Sequence, residues 1–240
     1  QPARSMLENP TDARTGEILA ALGGRAIVLV GMMGSGKSAI GYRLASRLGL
    51  PFVDADAEIV RAAAGMPIGE IFAKYGEAYF RDGERRVIMR LLNAGQMVLA
   101  TGGGAFMDVR TRDRIAQRGI SIWLDADLKT LMKRVRRKND RPLLHTENPE
   151  ETLRVLLEAR QPIYQLADIR VPSHDAPQEA MVDETLNALV TGLEKLQKTR
   201  PIAPEKEIAK IMTHLYPHRA AGDATDAAHR EIIKVGLEGR

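Results

Sequence analysis

Residues 31–38 read Gly31-Met32-Met33-Gly34-Ser35-Gly36-Lys37-Ser38, a G-x-x-x-x-G-K-S spacing in which each fixed position has a chemical use. Glycines let successive backbone N–H groups turn inward around an anion with no Cβ in the way. A helix beginning there points its positive end at the same anion. The Lys37 ammonium can reach two phosphate oxygens, and the Ser38 hydroxyl suits the oxygen shell of Mg²⁺. The pattern therefore predicts a cradle for a nucleoside triphosphate, against the plainer reading of a chance glycine-rich turn. The flanks oppose the plainer reading. Ala26–Val30 is an apolar, β-rich run directly before the loop, and Ile40, Leu44 and Leu48 recur at helical spacing directly after it.

Other residues carry weaker signals one at a time. Asp54 and Asp56 end a short apolar run, and on an extended segment residues two apart face the same way. One carboxylate could hold a Mg²⁺-bound water and the other an acceptor hydroxyl, unless either simply caps the next helix. Arg81 and Glu84 lie three apart on an expected helix. They form either a surface pair or an arginine preorganised to offer its fork to a carboxylate. Thr101-Gly102-Gly103-Gly104 ends another β-like run, so the backbone there either turns tightly or comes close to a ligand. Lys133, Arg134, Arg136, Arg137 and Lys138 form a basic run followed by Arg141-Pro142-Leu143-Leu144. No aromatic lies between Trp123 and Tyr164, which argues against a surface for stacking nucleic-acid bases. A cationic lid over a nucleotide fits better, with Arg141 neutralising charge on a transferring group. Arg160, in Arg160-Gln161-Pro162-Ile163-Tyr164, reads as a surface charge or a second carboxylate clamp.

The elements that must position these residues alternate. Strands are expected at 26–30, 51–54, 97–101 and 120–124, with a fifth marked by Ile169 and Val171. Helices are expected near 17–22, behind the phosphate loop, and at 57–64, 68–75, 81–94, 108–118, 127–137, 150–165 and 178–197. Such alternation predicts an α/β fold with a parallel sheet covered on both faces, its ligands at the C-terminal ends of the strands. The 240 residues are enough for one such domain with flanking segments, 1–24 a polar lead-in and 199–240 a tail or linker. Cysteine is absent, which excludes disulfides and thiolate chemistry. No run approaches the ~18 apolar residues of a membrane helix, and 1–25 lacks the apolar stretch of an export signal, so a cytoplasmic protein without a membrane partner is expected. The net charge of +4 suits an anionic ligand.

Taken in order, GxxGxGKS, D-x-D, G-E-x-x-F-R-x-x-E, GGG, R-P-L-L and R-x-P-x-Y resemble the shikimate kinase family over about residues 25–197. The resemblance implies a P-loop NTPase three-layer fold with a five-stranded parallel sheet, like the nucleoside-monophosphate kinases, a domain over 25–198 and a lid over about 134–149. It implies ATP and Mg²⁺ as cofactors and a monomer that phosphorylates shikimate, with no nucleic acid partner. Gly34, Ser35, Gly36, Lys37, Ser38 and Ala39 would then bind ATP phosphates, with Ser38 and Asp54 in the Mg²⁺ shell. Arg134 would lie against the adenine, and Arg141 would act from the lid. Asp56 would hold the acceptor hydroxyl and serve as base beside Lys37 and Arg141 as catalytic residues. Arg81 and Arg160 would bind the shikimate carboxylate, with Glu84 orienting Arg81, Gly103 approaching the ring through its backbone, and Phe72 and Phe80 lining the pocket.

A kinase of another hydroxy acid such as gluconate, a GTPase, and a silent nucleotide-binding module are the competing readings. No N-K-x-D follows a strand here, against the GTPase. His214 and His218 have metal-ligand spacing, but Pro217 between them breaks the helix such a site needs. The stretch 233–240 resembles the first strand of dehydroquinate synthase, which would fit a fused chain.

Overall fold

In a computed structural model, residues 10–136 and 148–199 are described. Five strands form one sheet: β1 (Ala26–Val30), β2 (Phe52–Asp54), β3 (Val98–Ala100), β4 (Gly119–Asp125) and β5 (Ile169–Pro172). Their order is β2-β3-β1-β4-β5, and every pairing is parallel. Helices α1 (Pro10–Leu22), α2 (Lys37–Leu48), α3 (Ala55–Ala62), α4 (Ile68–Asn93), α5 (Val109–Arg118), α6 (Leu128–Val135), α7 (Pro149–Tyr164) and α8 (Gln178–Thr199) surround it.

The central strand shows why the sheet needs two covering layers. All five residues of β1 are buried, and alternate side chains enter different cores. Ala26, Val28 and Val30 join Ile88, Leu99, Phe106, Trp123 and Tyr164 in one cluster. Ile27 and Leu29 join Leu44, Val98, Ile122, Val182 and Leu189 in the other. Each fully buried Leu or Ile contributes ~1.5–3 kcal/mol relative to exposure, so β1 anchors both layers.

Register brings the strand ends level. Leu29 and Asp54 both pair with Ala100, and Val30 pairs with Trp123. The Thr101 hydroxyl donates to the Leu29 carbonyl at 2.9 Å, tying the segment after β3 to β1. The loops after β1, β2 and β3 therefore open at one edge of the sheet.

Three elements differ from the sequence-based expectation. The N-terminal segment, expected to be a polar lead-in with a helix near 17–22, forms the 13-residue α1, with Ile18 and Leu22 buried against α8 and α2. Leu19 and Ala21 pack partly buried beside them. The helices expected at 68–75 and 81–94 are the two arms of α4, separated by a kink where Gly76 takes a non-helical φ 80° and ψ 171°, with the second arm starting earlier than expected. That left-handed φ costs glycine little, and helix resumes at Glu77. The helix expected from 57 starts at Ala55 because Asp54 caps it, its Oδ1 accepting from the Asp56 N–H at 3.0 Å and the Ala57 N–H at 3.4 Å. None of the described helices is long and apolar enough to cross a membrane.

Candidate active site

The phosphate loop leaves β1 and enters α2 with its glycines where backbone conformation demands them. Gly34 and Gly36 have φ of +83° and +98°, a region that side chains rarely tolerate. A Cβ on Gly34 would also sit 2.8 Å from Val135 on α6. Lys37 is buried, and its ammonium donates to the Gly31 and Met32 carbonyls at 2.8 Å each. The lysine is thus folded back along its own loop, at the mouth of a cavity of about 460 Å³. Gly34, Gly36, Lys37, Ser38, Ala39, Asp54, Asp56, Gly103 and Arg134 all line this cavity. Ser35 does not. It is fully buried, its N–H donates to the Met32 carbonyl, and its own carbonyl accepts from the Ser173 hydroxyl at 2.9 Å.

Ser38 Oγ donates to Asp54 Oδ2 at 2.6 Å. The cap reading and the metal reading of Asp54 are therefore compatible, since Oδ1 holds the start of α3 while Oδ2 faces Ser38. Two hard oxygens side by side at a phosphate loop fit Mg²⁺, which takes one or two protein oxygens and completes its shell with phosphates and water. Among the described residues no cluster of three or more His, Cys, Asp or Glu could hold a metal unaided. Asp56 reaches the site by a different route from the one expected. It does not extend the strand beside Asp54 but projects from the first turn of α3.

A second cavity of about 650 Å³ opens beside the first. Phe72, Phe80, Arg81, Glu84, Gly104 and Arg160 line it. Met33, Asp56, Gly102 and Gly103 line both cavities, so Asp56 stands at the junction. The Phe72 and Phe80 rings lie 4.5 Å apart, and the Arg81 guanidinium sits 5.1 Å from the Phe80 ring.

Arg81 is held from two sides. Nη1 donates to Glu84 Oε2 at 2.7 Å, while Nε and Nη2 reach Glu77 Oε1 at 3.3 Å. Burial works against its charge, but Glu84 and then Glu77 outweigh that and hold the guanidinium more firmly protonated than an ordinary arginine. Glu84 is only 3% exposed. Burial pushes its carboxyl above the usual glutamate range, Arg81 pulls it back, and Asp56 adds to the rise. Its second oxygen, Oε1, is buried with no hydrogen-bond partner among the described residues.

The glycine triplet is explained by space. A Cβ on Gly102 would lie 2.7 Å from Glu84 Oε1 and 2.8 Å from Asp56 Oδ1. One on Gly103 would lie 3.3 Å from the Met33 nitrogen and 3.5 Å from Arg160 Nη1. One on Gly104 would meet the Arg81 guanidinium at 2.5 Å. Four charged side chains from three helices converge on this bare strip of backbone.

This arrangement, a phosphate cradle sharing an aspartate with a two-arginine pocket, is the one that known relatives can be set against. The shikimate kinase family model matches residues 33–190. The chain is 57% identical to a shikimate kinase of Bradyrhizobium diazoefficiens over 187 residues, 78% of this chain and 90% of that protein. It is 55% identical to one from Rhodopseudomonas palustris over 188 residues, again 78% of this chain and 91% of the other. The chain belongs to the shikimate kinase family. Among solved structures, it resembles the Acinetobacter baumannii shikimate kinase in complex with shikimate, with TM-score 0.68 and 36% identity over 72% of this chain and 97% of that one. It also resembles the Aquifex aeolicus shikimate kinase, with TM-score 0.58 and 34% identity over 69% and 96%.

For the family's other motif residues the outcome is mixed. Arg141 and most of the expected lid, 137–147, lie outside the described residues, as do 200–240 with His214, His218 and the 233–240 stretch. Arg134 is near the end of α6 and not in a lid loop. Its Nη1 donates to Ser173 Oγ at 2.8 Å, with the Gly34 and Ser35 carbonyls at 3.4 Å, and its Nη2 donates to the His174 carbonyl at 2.5 Å. It thus ties the phosphate loop to the segment after β5. That segment was missed from sequence. Asp175, Ala176, Gln178 and Met181, with Lys133 of α6, complete the wall of the nucleotide-side cavity. Lys133 pairs with Asp175 within that wall. The rule that ligands gather beyond strand C-termini could have located this wall, but β5 carried too few apolar residues to be placed firmly.

Proposed function

We infer that this chain transfers the γ-phosphoryl group of ATP to the 3-hydroxyl of shikimate, giving shikimate 3-phosphate and ADP. The observation that carries the reading is the shared wall. The cavity beside the phosphate loop and the cavity with two arginines meet at Asp56, the one titratable side chain that lines both among the described residues. Shikimate bears one carboxylate and several hydroxyls on a compact ring, so it needs cations at one end and a carboxylate at the other. Arg81 and Arg160 would take the acid end, with Phe72 and Phe80 against the ring. Asp56 would accept the hydroxyl proton as the oxygen attacks phosphorus and ADP departs.

Lys37 would exchange its hold on the Gly31 and Met32 carbonyls for the phosphates, neutralising charge as it moves between acceptor and leaving oxygens. Ser38 and Asp54 would hold Mg²⁺, which supplies further positive charge at the phosphates when bound. Gly34, Gly36 and Ala39 would contact phosphates, Arg134 would border the base, and Arg141 would complete the charge from the lid. Little covalent work is asked of the protein. Positioning and charge supply the rate.

We take 25–198 with α1 as the catalytic unit and 199–240 as a segment the chemistry does not need. We take the enzyme to be a monomer that works in the cytoplasm, where ATP is available. Asp56→Asn tests the reading. It should keep nucleotide and shikimate binding within about threefold and lose transfer by at least about 10²-fold, followed as the phosphate-ester signal in phosphorus NMR. Full transfer by the variant would remove Asp56 as base.

A further inference from the structure

The mechanism gives no role to Tyr164, a buried polar side chain beside this site. Tyr164 is 0% exposed, the last residue of α7, one helical turn beyond Arg160 and on the same face. Its ring stacks against Trp123 at 6.0 Å and Phe106 at 6.5 Å. Its hydroxyl donates to the Gly103 carbonyl and lies 3.8 Å from Met32 Sδ in the phosphate loop, and Arg160 Nη1 stands 3.5 Å from where a Cβ on Gly103 would be. Burial pushes the phenol up to about 12, with Arg160 pulling the other way, so the group stays a donor throughout any working range.

Of the three successive glycines, Gly102 and Gly103 line both cavities and Gly104 lines the second. They bring no side chain to hold themselves, and glycine backbone has the most freedom to lose. Yet Asp56, Glu84, Arg81 and Arg160 crowd this strip so closely that a Cβ on Gly102 or Gly104 would lie only 2.5–2.8 Å from Glu84, Asp56 or Arg81. A wall of that kind needs an anchor from outside. We propose that Tyr164 is a positioning residue for the acceptor: its hydroxyl pins the Gly103 carbonyl, and so holds the Gly102–Gly104 wall and Arg160 in register with the phosphate loop. The hydroxyl touches no reacting atom. It acts through Gly103 and Arg160. The alternative is that Tyr164 is only a large core aromatic whose hydroxyl happens to be satisfied.

The proposal rests on the second cavity taking shikimate, and the test separates the two. Tyr164→Phe keeps the ring and removes the donor. Steady-state kinetics for both substrates, with amide hydrogen exchange over 101–107, should show KM for shikimate raised about tenfold, the worth of one lost buried hydrogen bond. KM for ATP should stay within about twofold, while exchange at the triplet speeds up by about the same tenfold. An unchanged KM for shikimate, or equal rises for both substrates, would overturn the proposal whatever happens to the melting temperature. Should the variant fail to fold, exchange in the wild-type protein decides. Slow exchange at Gly103–Ala105 supports the pin, and open-loop rates overturn it. Should the wild-type enzyme show no shikimate turnover, the functional reading fails, and the exchange comparison alone still decides whether Tyr164 holds the wall.

Discussion

Gly102→Ala adds one methyl group where two carboxylates meet. The new Cβ would stand 2.7 Å from Glu84 Oε1 and 2.8 Å from Asp56 Oδ1, and ordinary contact begins at 3.4 Å. One or both carboxylates must retreat by about 0.6 Å or more. Glu84 has little room, being 3% exposed and tied to Arg81 at 2.7 Å. Asp56, at the open junction, takes most of the shift. A misplacement of ~1 Å in a reacting group costs ~10²-fold, so about 0.6 Å should cost kcat on the order of tenfold, or about 1.4 kcal/mol of transition-state stabilisation. Both clashing atoms are side-chain ends, so the melting temperature should fall by no more than a few degrees. The assay is steady-state ADP release at saturating ATP and shikimate, with nucleotide affinity measured separately and expected within about twofold. If kcat were unchanged while the protein stayed folded, the junction would not be where Asp56 works.

Lys37→Ala should lower kcat by at least about 10³-fold in the same assay, and near-full activity would end the phosphate-loop mechanism. Arg81→Ala should raise KM for shikimate about 10²-fold with nucleotide affinity intact, and loss of nucleotide binding instead would place Arg81 in the wrong cavity. Glu84 is held above the ordinary glutamate range by burial, so the folded state binds its proton more tightly than the unfolded chain. Its contribution to stability is therefore full below about pH 4.3 and is lost as pH rises through the folded value. Glu84→Gln stays neutral, so the melting-temperature difference, variant minus wild type, should rise over that interval, and a flat difference would contradict the assignment. Removing 200–240 should leave kcat/KM within about twofold, and a large loss would make that segment part of the working enzyme.

The sheet was legible because its strands are apolar and bounded by glycine, and the phosphate loop because its spacing admits few alternatives. What sequence patterns missed was set by tertiary contacts. A helix was expected at 17–22 but not its start at Pro10, and it docks through buried Ile18 and Leu22 with Leu19 and Ala21 partly buried beside them. Asp56 reaches the junction of the cavities by a route the sequence did not show, since the strand ends at Asp54 and the cap turns Asp56 into a helix. For Gly102–Gly104 the sequence announced a close approach. Only the fold identified the visitors as Glu84, Asp56, Arg160 and Arg81. The segment after β5 was illegible because Ser173 and His174 act through a hydroxyl and a carbonyl on Arg134, contacts that no spacing rule encodes.

The identity of the acceptor is read by ADP release with Mg-ATP, comparing shikimate, gluconate and no acceptor at equal concentration. Release that depends on shikimate and stays at background with gluconate is the predicted result. Folded, ATP-binding protein that releases no more ADP with shikimate than without would contradict the account at its base.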